Sequence, residues 1–125
     1  MMRKQKVLII DDEQMITSTL VKLLNRSGYE AAAVNGGREA IEMASQEDFD
    51  LIISDIRMPE MDGIRTLVEI QAHLSKTGQS VPVIFITGYA DDALEKQAKD
   101  LGCQDYIYKP FDLRFFLEKV KKAIG

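Results

Sequence analysis

Short apolar runs separated by stretches of helical spacing constrain this chain more than any other feature. The runs Val7–Ile10, Leu51–Ile53, Val83–Ile86 and Tyr106–Tyr108 each end at polar or turn residues. None alternates polar with apolar, so all four read as strands buried on both faces, the pattern a parallel sheet requires. A weaker fifth run, Glu30–Val34, reads as an edge strand. Helical stripes lie between them. Ile16, Leu20, Leu23 and Leu24 recur at helix spacing and are closed by Gly28, where a C-terminal cap belongs. Ala40, Ile41 and Ala44 mark a second helix, and Gly63 opens a third, striped by Ile64, Leu67, Val68 and Leu74. Asp92 and Glu95 have capping-box spacing for a fourth helix that buries Leu94, Ala98 and Leu101. Asp112 is the N-cap expected for a fifth, striped by Leu113, Leu117, Val120 and Ile124.

Strand and helix thus alternate five times in 125 residues, with no repeat or linker. That predicts one domain, residues 1–125, of the α/β class: a parallel sheet with helices on both faces and right-handed crossovers. The apolar share of 46% is enough for one core. A net charge of −4 argues against a nucleic-acid-binding face. The single cysteine, Cys103, makes no internal disulfide, which suits a reducing compartment. The first apolar run stops at Asp11-Asp12-Glu13, too short for a signal peptide or a membrane span. The expectation is a cytoplasmic protein with no direct nucleic-acid or membrane partner.

Ligands of such sheets bind beyond the carboxyl ends of the strands. Those ends carry Asp11 and Asp12 (first), Asp55 (third), Thr87 (fourth) and Lys109 (fifth). Singly, each has an ordinary explanation: helix-start acids, a strand-end hydroxyl, a surface lysine. Together they make a chemical set. Carboxylates about 5 Å apart repel by roughly 3 kcal/mol at an effective dielectric near 20. Such a cluster wants a cation, and oxygen ligands with room for water favour Mg²⁺ or Mn²⁺ over Zn²⁺. Beside that cation Asp55 could act as a carboxylate nucleophile toward phosphorus. Lys109 would offset charge on the transferring oxygens, and the Thr87 hydroxyl could donate to one of them. Glu13 reads as a first-turn helix acid, Met58 and Met61 as core filling, Cys103 as a small buried hydrophobe, and His73 as exposed.

Four segments, VLIIDDE (7–13), LIISDIRMPEMDG (51–63), VIFITGYAD (83–91) and DYIYKPF (105–111), make the chain resemble a response-regulator receiver domain of two-component signalling over essentially its whole length. The resemblance implies a flavodoxin-like doubly wound sheet of order 2-1-3-4-5. It implies that Asp55 accepts a phosphoryl group from a sensor histidine kinase or a small phosphodonor. Mg²⁺ (or Mn²⁺) would be held by Asp12, Asp55 and the backbone carbonyl of Arg57, with Asp11 acting through a water. Lys109 would pair with the phosphoryl group across a cis Lys109–Pro110 bond, and Thr87 and Tyr106 would report its arrival. Arg57 and Tyr89, two residues beyond Asp55 and Thr87, are expected to cover the site. Output would be read on the face of the fourth helix, fifth strand and fifth helix by an attached output domain, a separate effector or a homodimer mate. The chain would be a switch, catalysing only its own phosphorylation and dephosphorylation. A haloacid-dehalogenase-type phosphatase is disfavoured, because the position of its second acid holds Arg57. A flavodoxin-like FMN carrier would need a Ser/Thr/Gly-rich phosphate loop where this chain has three acids.

Overall fold

Apolar side chains that exclude water from both faces of a sheet dictate the architecture seen in the computed structural model, which describes residues 3–125. In chain order the elements are β1 (Lys6–Ile10), α1 (Gln14–Arg26), β2 (Glu30–Val34), α2 (Gly37–Gln46), β3 (Leu51–Asp55), α3 (Gly63–Ser75), β4 (Val83–Thr87), α4 (Asp92–Asp100), β5 (Asp105–Tyr108) and α5 (Leu113–Ile124). All strand pairings are parallel, in the order β2-β1-β3-β4-β5. The flavodoxin-like doubly wound α/β sheet expected from the sequence is therefore present.

Successive side chains of a strand point to opposite faces, so the sheet divides the core in two. Leu8, Ile10, Ile52 and Phe85 pack with Ala40, Leu67, Ile70, Leu74 and Ala98, beneath α2, α3 and α4. Val7, Ile9, Ile53, Ile84 and Ile107 pack with Leu20, Leu24, Phe116 and Val120, beneath α1 and α5. Each fully buried aliphatic side chain contributes about 1.5–3 kcal/mol relative to exposure. β3 and β4 are buried at every position. The register sets Ile10 beside Ser54, Asp55 beside Ile86 and Thr87 beside Tyr108, which levels the strand ends.

Several local expectations are corrected. Tyr106–Tyr108 is not buried on both faces: only Ile107 is buried, and Tyr108 is 44% exposed. β5 is an edge strand, so one flank meets solvent. The N-cap of α4 is Asp91, whose carboxylate accepts from the Ala93 and Leu94 N–H groups; Asp92 lies in the first turn and forms no capping box. Val68 and Leu113 face solvent, while Ile70 and Phe116 take the buried positions on their helices. Glu13 is the N-cap residue of α1, without a side-chain cap bond. Cys103 is half-buried against the α2–α4 side of the core. Gly28 follows α1 at φ 95°, the left-handed conformation anticipated for its cap. Among the described residues no helix is long and apolar enough to cross a membrane.

Candidate functional site

Asp11 continues the line of β1, its N–H donating to the Val34 carbonyl at 3.2 Å. It is fully buried, and its Oδ1 accepts from the Glu13 N–H at 2.9 Å, which fixes its rotamer. Asp55 closes β3 and is 5% exposed. The chain then turns back so tightly that the Gly63 N–H donates to the Ile56 carbonyl at 2.8 Å. A Cβ at Gly63 would stand 2.0 Å from the Asp55 carbonyl oxygen, so only glycine permits this approach of α3 to the strand end. Asp12 is exposed beside them, and one carboxylate oxygen from each of Asp11, Asp12 and Asp55 lies within 4.8 Å of the others.

Lys109 enters this cluster from the end of β5. Its N–H donates to the Thr87 carbonyl at 2.7 Å, and the following bond to Pro110 is cis, as expected. The ammonium lies 3.1 Å from Asp55 Oδ2, 2.8 Å from Glu13 Oε1 and 2.9 Å from Asp11 Oδ2. The contact to Asp11 Oδ2 is off the hydrogen-bonding direction, and that buried oxygen has no aligned donor. Burial pulls the Lys109 ammonium toward neutrality, but its bond to Glu13 and the close Asp11 and Asp55 carboxylates win and hold its pKa above the ordinary lysine value. Asp55 is pushed up to about 6, first by burial and then by the Asp11 charge, against the opposing pull of Lys109 and the Arg57 N–H.

Three carboxylates, Asp11, Glu13 and Asp55, therefore contact one ammonium, and Asp12 adds a fourth beside them. The donor set is all oxygen and crowded, so its like charges repel unless a cation joins them. These residues fit a small hard divalent ion such as Mg²⁺. Above them opens a cleft of about 440 Å³, lined by Asp12, Glu13, Asp55, Arg57, Gly88, Tyr89 and Lys109.

Thr87 is buried at the end of β4; its hydroxyl accepts from the Tyr89 N–H at 3.1 Å and lies 3.4 Å from the Tyr89 carbonyl. Tyr106 is half-buried against the α4 side of the core, its hydroxyl enclosed without a partner, its ring edge-on to Tyr108 at 5.4 Å. Burial raises the Tyr106 pKa, with smaller help from Glu95 and Asp91. Tyr108 hydrogen-bonds Glu95, which pushes its hydroxyl up to about 12. Arg57 and Tyr89 do line the cleft, the guanidinium stacked over the ring at 4.5 Å.

Two residues escaped the sequence reading. Glu13 is a counter-charge to Lys109, 96 positions away, and Asp91 binds Arg57 at 3.3 Å. The signal for Glu13 was its place directly after the acidic pair.

Sheet order and site define a doubly wound α/β protein whose chemistry sits where the strand order reverses, between β1 and β3, with a cation-seeking acidic cluster and one lysine. The family model of the response regulator receiver domain matches residues 7–121, and the chain belongs to that family, the phosphoryl-accepting switches of two-component signalling. The transcriptional regulatory protein ZraR of Escherichia coli (strain K12) is 36% identical over 119 residues, which cover 95% of this chain and 26% of ZraR. The chain thus spans about a quarter of that curated relative. Among solved structures, the Vibrio cholerae chemotaxis protein CheY4 superposes with a TM-score of 0.89 at 27% identity, covering 98% of this chain and 100% of CheY4. A Burkholderia pseudomallei response regulator, solved with a phosphorylated aspartic acid, calcium and citrate, has a TM-score of 0.81 at 25% identity, over 98% of this chain and 67% of its own.

Proposed function

We propose that residues 1–125 form one receiver domain in which Asp55 accepts the phosphoryl group, from a sensor histidine kinase or a small phosphodonor. The observation that carries this reading is the position of Asp55: a strand-end carboxylate bordering the open cleft, 3.1 Å from Lys109 and inside the acidic cluster. Asp11 is fully enclosed and holds the Glu13 N–H, which makes it a poor nucleophile. The phosphorylated aspartic acid and calcium of the Burkholderia relative support the same assignment.

Asp12, Asp55 and the Arg57 carbonyl would hold Mg²⁺ (or Mn²⁺), with Asp11 reaching it through a water. When bound, the ion supplies positive charge against the oxygens of the transferring group. An Asp55 carboxylate oxygen attacks phosphorus, the bond from phosphorus to the donor's imidazole nitrogen or acyl oxygen breaks, and the electron pair leaves with the donor. Lys109 orients the Asp55 carboxylate and meets the charge of the new acyl phosphate. Thr87 turns its hydroxyl from the Tyr89 backbone to a phosphoryl oxygen, and Tyr106 responds in the space beside it. Water later cleaves the acyl phosphate, releasing inorganic phosphate and restoring the carboxylate, so the domain catalyses only its own turnover. The output surface is that of α4, β5 and α5, read by an attached output domain, an effector or a second copy in the cytoplasm. ZraR's name as a transcriptional regulator supports an output that reaches DNA through another domain, since this chain carries a net charge of −4.

Acetyl phosphate with Mg²⁺ should add a single phosphoryl mass, Asp55→Asn should add none, and a chelator should abolish labelling of the wild type. Undiminished labelling of Asp55→Asn would overturn the assignment.

A further inference from the structure

A chain of contacts outside the acidic cluster joins the acceptor loop to the first turn of α4. Arg57 lies two residues beyond Asp55, and its N–H donates to Asp55 Oδ1 at 3.3 Å. Its guanidinium stacks on Tyr89 at 4.5 Å and donates to Asp91 Oδ2 at 3.3 Å. The other oxygen of that carboxylate, Oδ1, accepts from the Ala93 and Leu94 N–H groups at 3.0 and 3.1 Å. One side chain, Asp91, therefore both closes the helix and holds the arginine. The helix it closes has nine residues, of which only Ala98 is fully buried, so the N-terminal turn depends heavily on this cap.

We propose that Arg57 is shared between two anions: the Asp91 carboxylate before modification, and the phosphoryl oxygens on Asp55 after it. Phosphorylation then unties the start of α4 from the acceptor loop. This rests on the assignment of Asp55 as acceptor and adds the route by which α4 senses it. A phosphorylated side chain carries a charge of about −1.5 to −2 and three strong acceptor oxygens, more than a carboxylate offers. Guanidinium pairs with such a group bidentately. The Arg57 side chain is 51% exposed and lines the same cleft as Asp55, so it has room to turn. Its bond to Asp91 is a surface ion pair, a kind that contributes little and is readily exchanged. Leaving Asp91 also takes the guanidinium off the Tyr89 ring. Tyr89 supplies the backbone groups that hold the Thr87 hydroxyl, so both links between the site and α4 loosen together.

The test is amide hydrogen exchange on the full chain with Mg²⁺, with and without saturating beryllofluoride as the phosphoryl mimic. Wild type, Arg57→Ala and Asp91→Asn are compared; asparagine caps a helix as well as aspartate does but removes the charge. In wild type, exchange at Ala93, Leu94 and Glu95 should quicken about threefold or more on loading. In both variants it should already be fast and change little on loading. A variant response equal to that of wild type overturns the proposal, as does a wild type that binds beryllofluoride without any change at these amides. A wild type that fails to bind beryllofluoride at all overturns the Asp55 assignment, and this proposal with it. The two failures are thus told apart.

Discussion

At the scale of single residues, burial and charge at Asp55 set a stability dependence on pH. Its folded pKa of about 6 lies above the ordinary carboxylate value of 3.8, so the folded chain holds the proton more tightly than the unfolded one. The resulting penalty is absent below about pH 4, grows as pH rises, and is complete above about pH 6. In chelator, Asp55→Asn should therefore be more stable than wild type at pH 7, by on the order of 2 kcal/mol, and about equal to it at pH 4. Urea unfolding at the two pH values checks this; equal stability at pH 7 would show that the Asp55 charge is already neutralised by its neighbours. The difference between the two proteins is the proper measure, because carboxylates with lowered pKa, such as Asp91, act in the opposite direction. Asp11, Asp12, Asp55 and Lys109 were legible in the sequence because each lies within two residues of the end of an apolar run. The Glu13–Lys109 and Arg57–Asp91 pairs were not, because 96 and 34 positions separate the partners and only the folded sheet closes those gaps.

At the scale of elements, the first residue of α3 lies directly against the end of β3. An alanine at position 63 would favour the helix by about 1 kcal/mol on propensity alone. Its Cβ, however, would stand 2.0 Å from the Asp55 carbonyl oxygen, so the strand end or the helix must move. Gly63→Ala should cost about 1–3 kcal/mol in stability and slow labelling by acetyl phosphate about tenfold, as expected when an acceptor is displaced. Unchanged labelling would show that the loop yields without moving Asp55. The interior elements β3 and β4 were readable because uninterrupted apolar runs have no other use in a parallel sheet. β5 misled because its two tyrosines are apolar enough to extend a run yet polar enough to face water at an edge. The cap of α4 was misplaced by one residue because Asp91 and Asp92 have the same chemistry, and only backbone conformation separates them.

At the scale of the whole molecule, ion binding and folding are linked. An ion that binds only the folded cluster stabilises it by about 2.7 kcal/mol at a hundredfold excess over its Kd. Saturating Mg²⁺ should therefore raise the melting temperature of the wild type by several degrees, and that of Asp12→Ala by far less. Calorimetry against a chelated control reads both, and an equal rise in the variant would remove Asp12 from the ion site.

The division of the core by the sheet has a mechanical counterpart. Over most of their length β1, β3 and β4 act as a wall between two apolar layers that share no side chain. At β5 the wall ends: Tyr106 belongs to the layer under α4, and Ile107 to the layer under α5. A body that grips this rim would lean on both layers at once. It could therefore favour one arrangement of α4 over another by bracing against α5, without opening either layer to water.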